Sequence, residues 1–271
     1  MRGSRRARDD GKGFQVTHAK LRLGDTEVAR IGLGTNRLRN TSENVGFVKE
    51  AVATGVGVID TAHVYTDGES EETIGAALSP MPEDCIVATK GGYRPGHGRR
   101  EVLSAQIEES LRRLRTDSIP LYYLHRVDPE TPLEESLAVI QEYRDRGKIR
   151  HVGISEVGIE QIERARHVLP IAAVQNDYNL SERRYEEVVD YCAEERIVFV
   201  PFFPLHVDGP PALAEIAERR EVTQAQIALA WLLRRSPTIL PIPGTLSPEH
   251  LRENLAALEI ELTDDEFEAL V

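Results

Sequence analysis

The chain has 271 residues, 41% hydrophobic and 29% charged, enough to bury a full core as one large domain or two smaller ones. A formal net charge of -12 argues against nucleic acid or an anionic membrane as the principal partner, because both repel an acidic surface. No apolar run approaches the length of about eighteen residues that a membrane helix needs, and the N-terminal MRGSRRARDDGKGFQ lacks the apolar stretch of a secretory signal, so a cytoplasmic protein is expected.

Residues 1–17 read as a disordered arm, and residues 18–271 as a single domain. AKLRLGDTEVARIGLG then places Gly24-Asp25 between two strand-like pieces, the pattern of a hairpin leading into the first core strand. Core strands are predicted at 29–33, 57–60, 85–89, 119–124, 150–154, 172–175, 197–203 and 238–241. Between them the apolar spacing is helical, as at Leu103, Ile107, Leu111 and Leu114, at Tyr185, Val188, Val189 and Cys192, and at Leu251, Leu255 and Leu258. Ser42, Ser70 and Thr223 stand where N-caps are expected, and Gly147 ends the fourth helix. Eight strand–helix repeats in a chain of this length predict a closed (β/α)8 TIM barrel with the hairpin closing its bottom. A doubly wound open sheet is the runner-up, but GLGTNR lacks the GxGxxG spacing that a dinucleotide site on such a sheet uses.

Four residues with complementary chemistry follow the ends of successive strands: Asp60 and Tyr65 in VIDTAHVY, Lys90 in IVATKGG and His125 in LYYLHRVD. A phenol has a pKa of about 10, too high for easy proton release. A nearby ammonium favours the phenolate, and a carboxylate can hold that ammonium in place. A histidine beside them can hydrogen bond a carbonyl oxygen, so the set suits protonation of an oxygen as negative charge develops on it. Each residue has a plainer role when taken alone: Asp60 in a loop start, Tyr65 in packing, His125 in a loop network. Lys90 is the most telling, since the other lysines are only Lys12, Lys20, Lys49 and Lys148 against many arginines, and lysine offers a compact ammonium. On the barrel all four meet at one mouth. Cys85 and Cys192 lie far apart in apolar contexts and read as buried thiols, and no ligand spacing for a metal is present.

The chain resembles the aldo-keto reductases from about residue 19 to its end. The resemblance rests on GLGT at 32–35, DTAHVY at 60–65, ATKGG at 88–92, YYLHRVD at 122–128 and GKIRHVGIS at 147–155, then VQNDYN at 174–179, PFFPL at 201–205 and IPGTLSPEHLRENLAAL at 242–258. It implies reduction of an aldehyde or ketone by a nicotinamide dinucleotide, with Tyr65 as acid, Asp60 and Lys90 tuning it and His125 orienting the carbonyl. It also implies that Gly34, Thr35 and Asp60 border the cofactor, that Ser155, Glu156 and Gln175 face the carboxamide, and that Phe202 stacks on the nicotinamide. Leu205, Gly244, Thr245, Leu246, Ser247, His250, Glu253 and Asn254 would surround the pyrophosphate and adenosine, where the free N–H groups of the last helix's start suit phosphate.

Three positions depart from the family's pattern. Glu156 stands where asparagine is common; its carboxylate can still accept from an amide nitrogen. Phe202 replaces the usual tyrosine and keeps the stacking ring, while Phe203 replaces a serine. The segment from Gly244 to His250 carries only His250, with Arg252 nearby, where members preferring the phosphorylated dinucleotide usually place lysine or arginine. NADP(H) is favoured on family grounds, with NAD(H) the alternative. Asn36, Tyr93, His97 and Phe203 are the expected substrate-pocket residues. The short segment after PFFPL predicts an open mouth, and the resemblance implies a monomer acting on a small carbonyl compound. A nucleotide-binding regulatory barrel with little turnover is the competing function, and a metal-assisted isomerase or hydrolase on the same fold is a third.

Overall fold

The structure, a computed structural model, describes residues 19–206 and 209–271; the expected N-terminal arm lies outside them. Gly24, in the left-handed region at φ +62°, turns β1 (Lys20–Leu23) back onto β2 (Thr26–Ala29) as an antiparallel hairpin. Seven parallel strands follow in sequence order: β3 (Leu33–Gly34), β4 (Val58–Asp60), β5 (Ile86–Gly91), β6 (Ile119–Leu124), β7 (Ile149–Ser155), β8 (Ala173–Gln175) and β9 (Val198–Phe199). The first core strand is therefore shorter and later than the predicted 29–33, because residues 26–29 are taken by the hairpin.

Residues 238–244 close the ring without forming a regular strand. Pro241 and Pro243 have no N–H to donate, yet their carbonyls accept from Gly32 N at 2.9 Å and Gly34 N at 3.1 Å. On the other side Leu240 N donates to Phe199 O at 2.9 Å. The eighth strand of the barrel is thus present as isolated bridges to β3 and β9. The predicted ladder at 238–241 fails because alternate donors are missing.

Helices α1 (Ser42–Ala53), α2 (Glu69–Leu78), α3 (Arg100–Leu114), α4 (Leu133–Asp145), α5 (Ile159–Val168), α6 (Glu186–Glu194), α7 (Pro211–Arg219), α8 (Gln224–Arg235), α9 (Pro248–Ala256) and α10 (Asp264–Ala269) surround the strands. The stripe predicted on α3 is buried: Leu103, Ile107, Leu111 and Leu114 face the sheet. Each such side chain contributes about 1.5–3 kcal/mol of transfer energy. Gly147, at φ +72°, follows α4 as expected. Thr223 caps α8 by accepting from Gln226 N, but Thr41 rather than Ser42 caps α1. Ser70 is no cap. It is fully buried in the first turn of α2, with its hydroxyl 2.9 Å from Thr35 Oγ1 and 2.7 Å from Thr61 Oγ1. Cys85 and Cys192 are buried free thiols, each pushed up to about 12 by desolvation. No described helix is long and apolar enough to cross a membrane.

The alternation of side chains along a strand decides what fills the barrel. Val58, Ile86, Ala88, Leu121, Tyr123, Ala173, Val198 and Leu240 form one interior cluster, and Leu21, Leu23 and Val28 of the hairpin belong to it. The intervening residues, Ile59, Val87, Tyr122, Val152 and Val174, pack outward with the helices. Continuing the inward register by one step reaches Asp60, Lys90, His125, Ser155 and Gln175. The rule that builds the apolar core thereby puts five polar groups at its upper end.

Candidate active site

Main-chain bonds carry the strand ends past the last ladder pair and fix these residues against each other. Thr35 N donates to Asp60 O at 3.0 Å, His63 N to Lys90 O at 2.9 Å, His125 N to Gly91 O at 2.7 Å and Glu156 N to Gln175 O at 3.0 Å. Each site residue is thus held by its neighbour's backbone as well as by its own strand.

Lys90 is fully buried, and its ammonium donates to Asp60 Oδ2 at 2.6 Å, to the Thr61 carbonyl at 2.7 Å and to Tyr65 Oη at 3.4 Å. The three donors of an ammonium therefore have three acceptors. Burial alone would lower the Lys90 pKa, but Asp60 and Tyr65 outweigh it and hold the ammonium above its ordinary value. The second carboxylate oxygen, Asp60 Oδ1, accepts from Gln175 Nε2 at 2.8 Å, and the Tyr123 hydroxyl bonds the same glutamine. Such a chain, with every buried polar atom satisfied, is rigid and costly to disrupt.

Tyr65 begins a short 3₁₀ turn, Tyr65–Gly68, in which Thr66, Asp67 and Gly68 all have positive φ, 47°, 55° and 95°. Left-handed backbone is unfavourable for a β-branched residue, and here it is held by Thr66 Oγ1, which donates to Leu38 O at 2.7 Å and accepts from Ser70 N at 3.1 Å. The Arg113 guanidinium packs where a side chain on Gly68 would lie and donates to His63 O at 3.1 Å. The tight reversal brings Tyr65 Oη back over Lys90, whose Nζ is 4.9 Å from the ring centre.

Burial raises the Tyr65 phenol above its ordinary value of 10.0, and Lys90 only partly offsets this. The simple expectation of a lowered phenol therefore fails in the protein alone, where desolvation exceeds the pull of the ammonium. His125 is driven the other way, down to about 2, by burial first and then by the charges of Lys90 and Arg126. An imidazole so displaced is neutral near pH 7 and can offer one ring N–H as a hydrogen-bond donor. Its buried Nδ1 has no partner among the described residues.

A cavity of about 970 Å³ opens above this group. Of the residues singled out from the sequence, Gly34, Thr35, Asn36, Asp60, Tyr65, Tyr93, His125, Ser155, Gln175, Phe202, Phe203, Leu205 and Gly244 line it. Lys90 instead faces a second cavity of about 230 Å³, which His97 shares with His63, Gln106 and Arg113; His97 therefore does not line the main pocket, where it was expected. Glu156, at φ +57°, lies outside the main lining because its carboxylate accepts from Asp177 N at 3.0 Å and pairs with Arg184 at 3.1 Å. Thr245, Leu246, Ser247, His250, Glu253 and Asn254 lie beyond the lining, on the run into α9. Ser247 caps that helix by accepting from His250 N at 3.3 Å. Arg252 is committed to Glu50 at 2.7 Å. The segment whose shortness predicts an open mouth contains residues 207 and 208, which lie outside the described residues.

Sequence reasoning found Gln175 but not its bond to Asp60, and it singled out neither Arg37 nor Arg126 as a site residue, although both line the main cavity. Arg126 had a visible signal in its position next to His125. The Gln175–Asp60 bond had none, since the two are 115 residues apart.

A family model described as Aldo/keto reductase family matches residues 30–271. The chain is 34% identical to pyridoxine 4-dehydrogenase of Escherichia coli over 273 residues, covering 92% of this chain and 96% of that protein. Its structure is similar to a thermostable aldo-keto reductase solved with the inhibitor epalrestat, at TM-score 0.86 and 35% identity, over 93% of this chain and 98% of that one. It is also similar to an aldo/keto reductase of Klebsiella pneumoniae solved with NADP and acetate, at TM-score 0.82 and 30% identity, over 93% and 94% of the two chains. The chain belongs to the aldo/keto reductase family, a family of oxidoreductases, and its fold is the (β/α)8 barrel with an N-terminal hairpin.

Proposed function

We propose that the protein reduces an aldehyde or ketone to the alcohol at the expense of a nicotinamide dinucleotide, NADP(H) in preference to NAD(H), with Tyr65 as the proton donor. The observation that carries this reading is the buried ammonium of Lys90 bound at once to Asp60 and Tyr65, which line the main cavity together with His125.

The donor set fits such a cofactor. Gln175 commits its Nε2 to Asp60 and keeps its carbonyl oxygen, Ser155 presents a hydroxyl, and Phe202 presents a ring, all on the same cavity wall. Together they suit a carboxamide and a flat aromatic face. Gly34 and Gly244 border the other end, where Arg37 donates to Gly244 O at 3.3 Å. That cation, absent from the Gly244 to His250 segment, is positioned to favour phosphate. When bound, the reduced nicotinamide supplies the hydride.

The chain's own residues then perform the rest. His125, neutral and fixed, donates a hydrogen bond to the carbonyl oxygen. Tyr65 donates a second and gives up its proton as charge builds on that oxygen. Lys90 stabilises the phenolate left behind, and its charge rises in value as that anion forms, so its effect is greatest in the transition state. Asp60, anchored by Gln175, keeps the ammonium in place and protonated.

The test is consumption of NADPH and NADH with a panel of neutral and charged aldehydes and ketones, together with direct titration of both dinucleotides. Reduction of at least one carbonyl class and tighter binding of NADPH are expected. Equal or tighter NADH binding would reverse the cofactor preference. Tight NADPH binding without turnover of any carbonyl would return the regulatory reading.

A further inference from the structure

The acidic chain builds a cationic pocket. Arg37 and Arg126 line the main cavity, and its carboxylate, Asp60, is already paired with Lys90. Arg37 lies against Gly244, at the end assigned above to phosphate. Arg126 lies at the nicotinamide end, between His125 and Ser155, and has no role in the cofactor and proton-transfer assignments above.

The Arg126 guanidinium is half-buried and donates only through Nη1, to His125 O at 2.9 Å and to Ser155 Oγ at 3.3 Å. Its Nε and Nη2 have no partner, and no carboxylate is within ion-pair distance of it, among the described residues. Other arginines of this chain behave differently: Arg100, Arg164, Arg220 and Arg235 each engage a carboxylate. The guanidinium is flanked by Tyr93 at 5.8 Å and Phe202 at 6.0 Å, rings that restrict water and hold its plane. Tyr93 also lies 4.7 Å from the His125 ring. A fork of free N–H groups, fixed between aromatic rings and one residue from the carbonyl-orienting histidine, matches a carboxylate in geometry and charge.

We propose that the substrate is a carbonyl compound that also carries a carboxylate, gripped by Arg126 while its carbonyl lies between Tyr65 and His125. The inference rests on the reductase reading above and assigns its substrate class. Arg126 is then the residue that selects the substrate, and Tyr93 and Phe203, the exposed aromatics of the rim, cover the body of the molecule between the two polar ends.

The experiment compares kcat/KM for 3- and 4-carboxybenzaldehyde, each against its methyl ester, in the wild type, Arg126→Gln and Arg126→Lys, with NADPH titrated into all three. The wild type should favour one of the acids over its ester by about tenfold or more, as a charge-assisted pair implies. Arg126→Gln should lower that acid-to-ester ratio by about tenfold, mostly through KM, and Arg126→Lys should restore part of it. A ratio near unity in the wild type, or one unchanged in Arg126→Gln, overturns the proposal and leaves the reductase reading standing. Equal losses on acid and ester, or weakened NADPH binding at an unchanged ratio, would make Arg126 a positioning residue for His125 or a cofactor contact and also overturn it. A wild type that reduces another carbonyl of the panel but neither acid nor ester overturns this proposal alone, and one that binds NADPH but reduces no carbonyl overturns both readings.

Discussion

The two sides of the barrel mouth are built on different terms. From β5 to β7 the strands have six or seven residues, and their ends are bonded to those of neighbouring strands. Across the ring, β3 and β9 have two residues each, and residues 238–244 close the gap through bridges broken by Pro241 and Pro243. The first side holds Lys90 and His125, where angstrom-scale placement matters to the proposed proton transfer. The second presents unladdered backbone and small residues, Gly34 and Gly244, to the part of the cavity proposed for a large ligand. Regular structure is concentrated where chemistry needs precision, and prolines and glycines where a ligand needs room.

The sharpest way to break this contrast is at Lys90. Lys90→Met should abolish carbonyl reduction and, by leaving Asp60 buried without its counter-ion, cost about 3–5 kcal/mol of stability, read by urea unfolding and the NADPH-oxidation assay. Retained stability would show that water or Gln175 alone satisfies Asp60.

The proline side should respond differently. A methyl group added at Gly34 would come within 2.7 Å of the Ile242 carbonyl, so Gly34→Ala must push β3 away from the closing segment. Overpacking of this kind costs about 1–3 kcal/mol. We expect weaker dinucleotide binding by direct titration, with the kcat at saturating cofactor changed far less than in Lys90→Met. A selective loss of kcat would place the catalytic group on the wrong side of the comparison.

The smallest effect expected is that of pH. In the proposed reaction the competent forms are neutral His125 and protonated Tyr65. His125 is neutral well above a pKa of about 2, and Tyr65 titrates above 10.0. The kcat/KM for reduction should therefore stay flat from about pH 5 to about pH 9 and fall only as pH passes the ordinary phenol range. An inflection between about pH 6 and pH 7, in the unperturbed histidine range, would show His125 acting as the acid.

How much of this was legible in the sequence follows the same division. The regular side was readable: apolar alternation gave β4 to β8 closely, the stripe Leu103, Ile107, Leu111 and Leu114 gave the buried face of α3, and continuing the strand register collects Asp60, Lys90 and His125. The irregular parts were not. Pro241 and Pro243 sit in a segment joined to β3 by carbonyl acceptance alone, which no residue pattern encodes. Ser70 looked like a cap because its polarity and position suit one; three-dimensional proximity to Thr35 and Thr61 made it an internal bridge instead. The direction of the Tyr65 pKa was misread because the partner Lys90 is visible in the sequence, whereas the degree of burial is set by packing.

The central claim is that Tyr65 delivers the proton from the Asp60–Lys90 pair, and Tyr65→Phe tests it most directly because it removes one oxygen and keeps the ring. With the carbonyl substrate that the wild type reduces best, single-turnover oxidation of NADPH should become undetectable, while the NADPH dissociation constant changes by less than about twofold, as expected when an interaction made only in the transition state is lost. Reduction at a rate near that of the wild type, or a loss of NADPH binding equal to the loss of rate, would contradict the account.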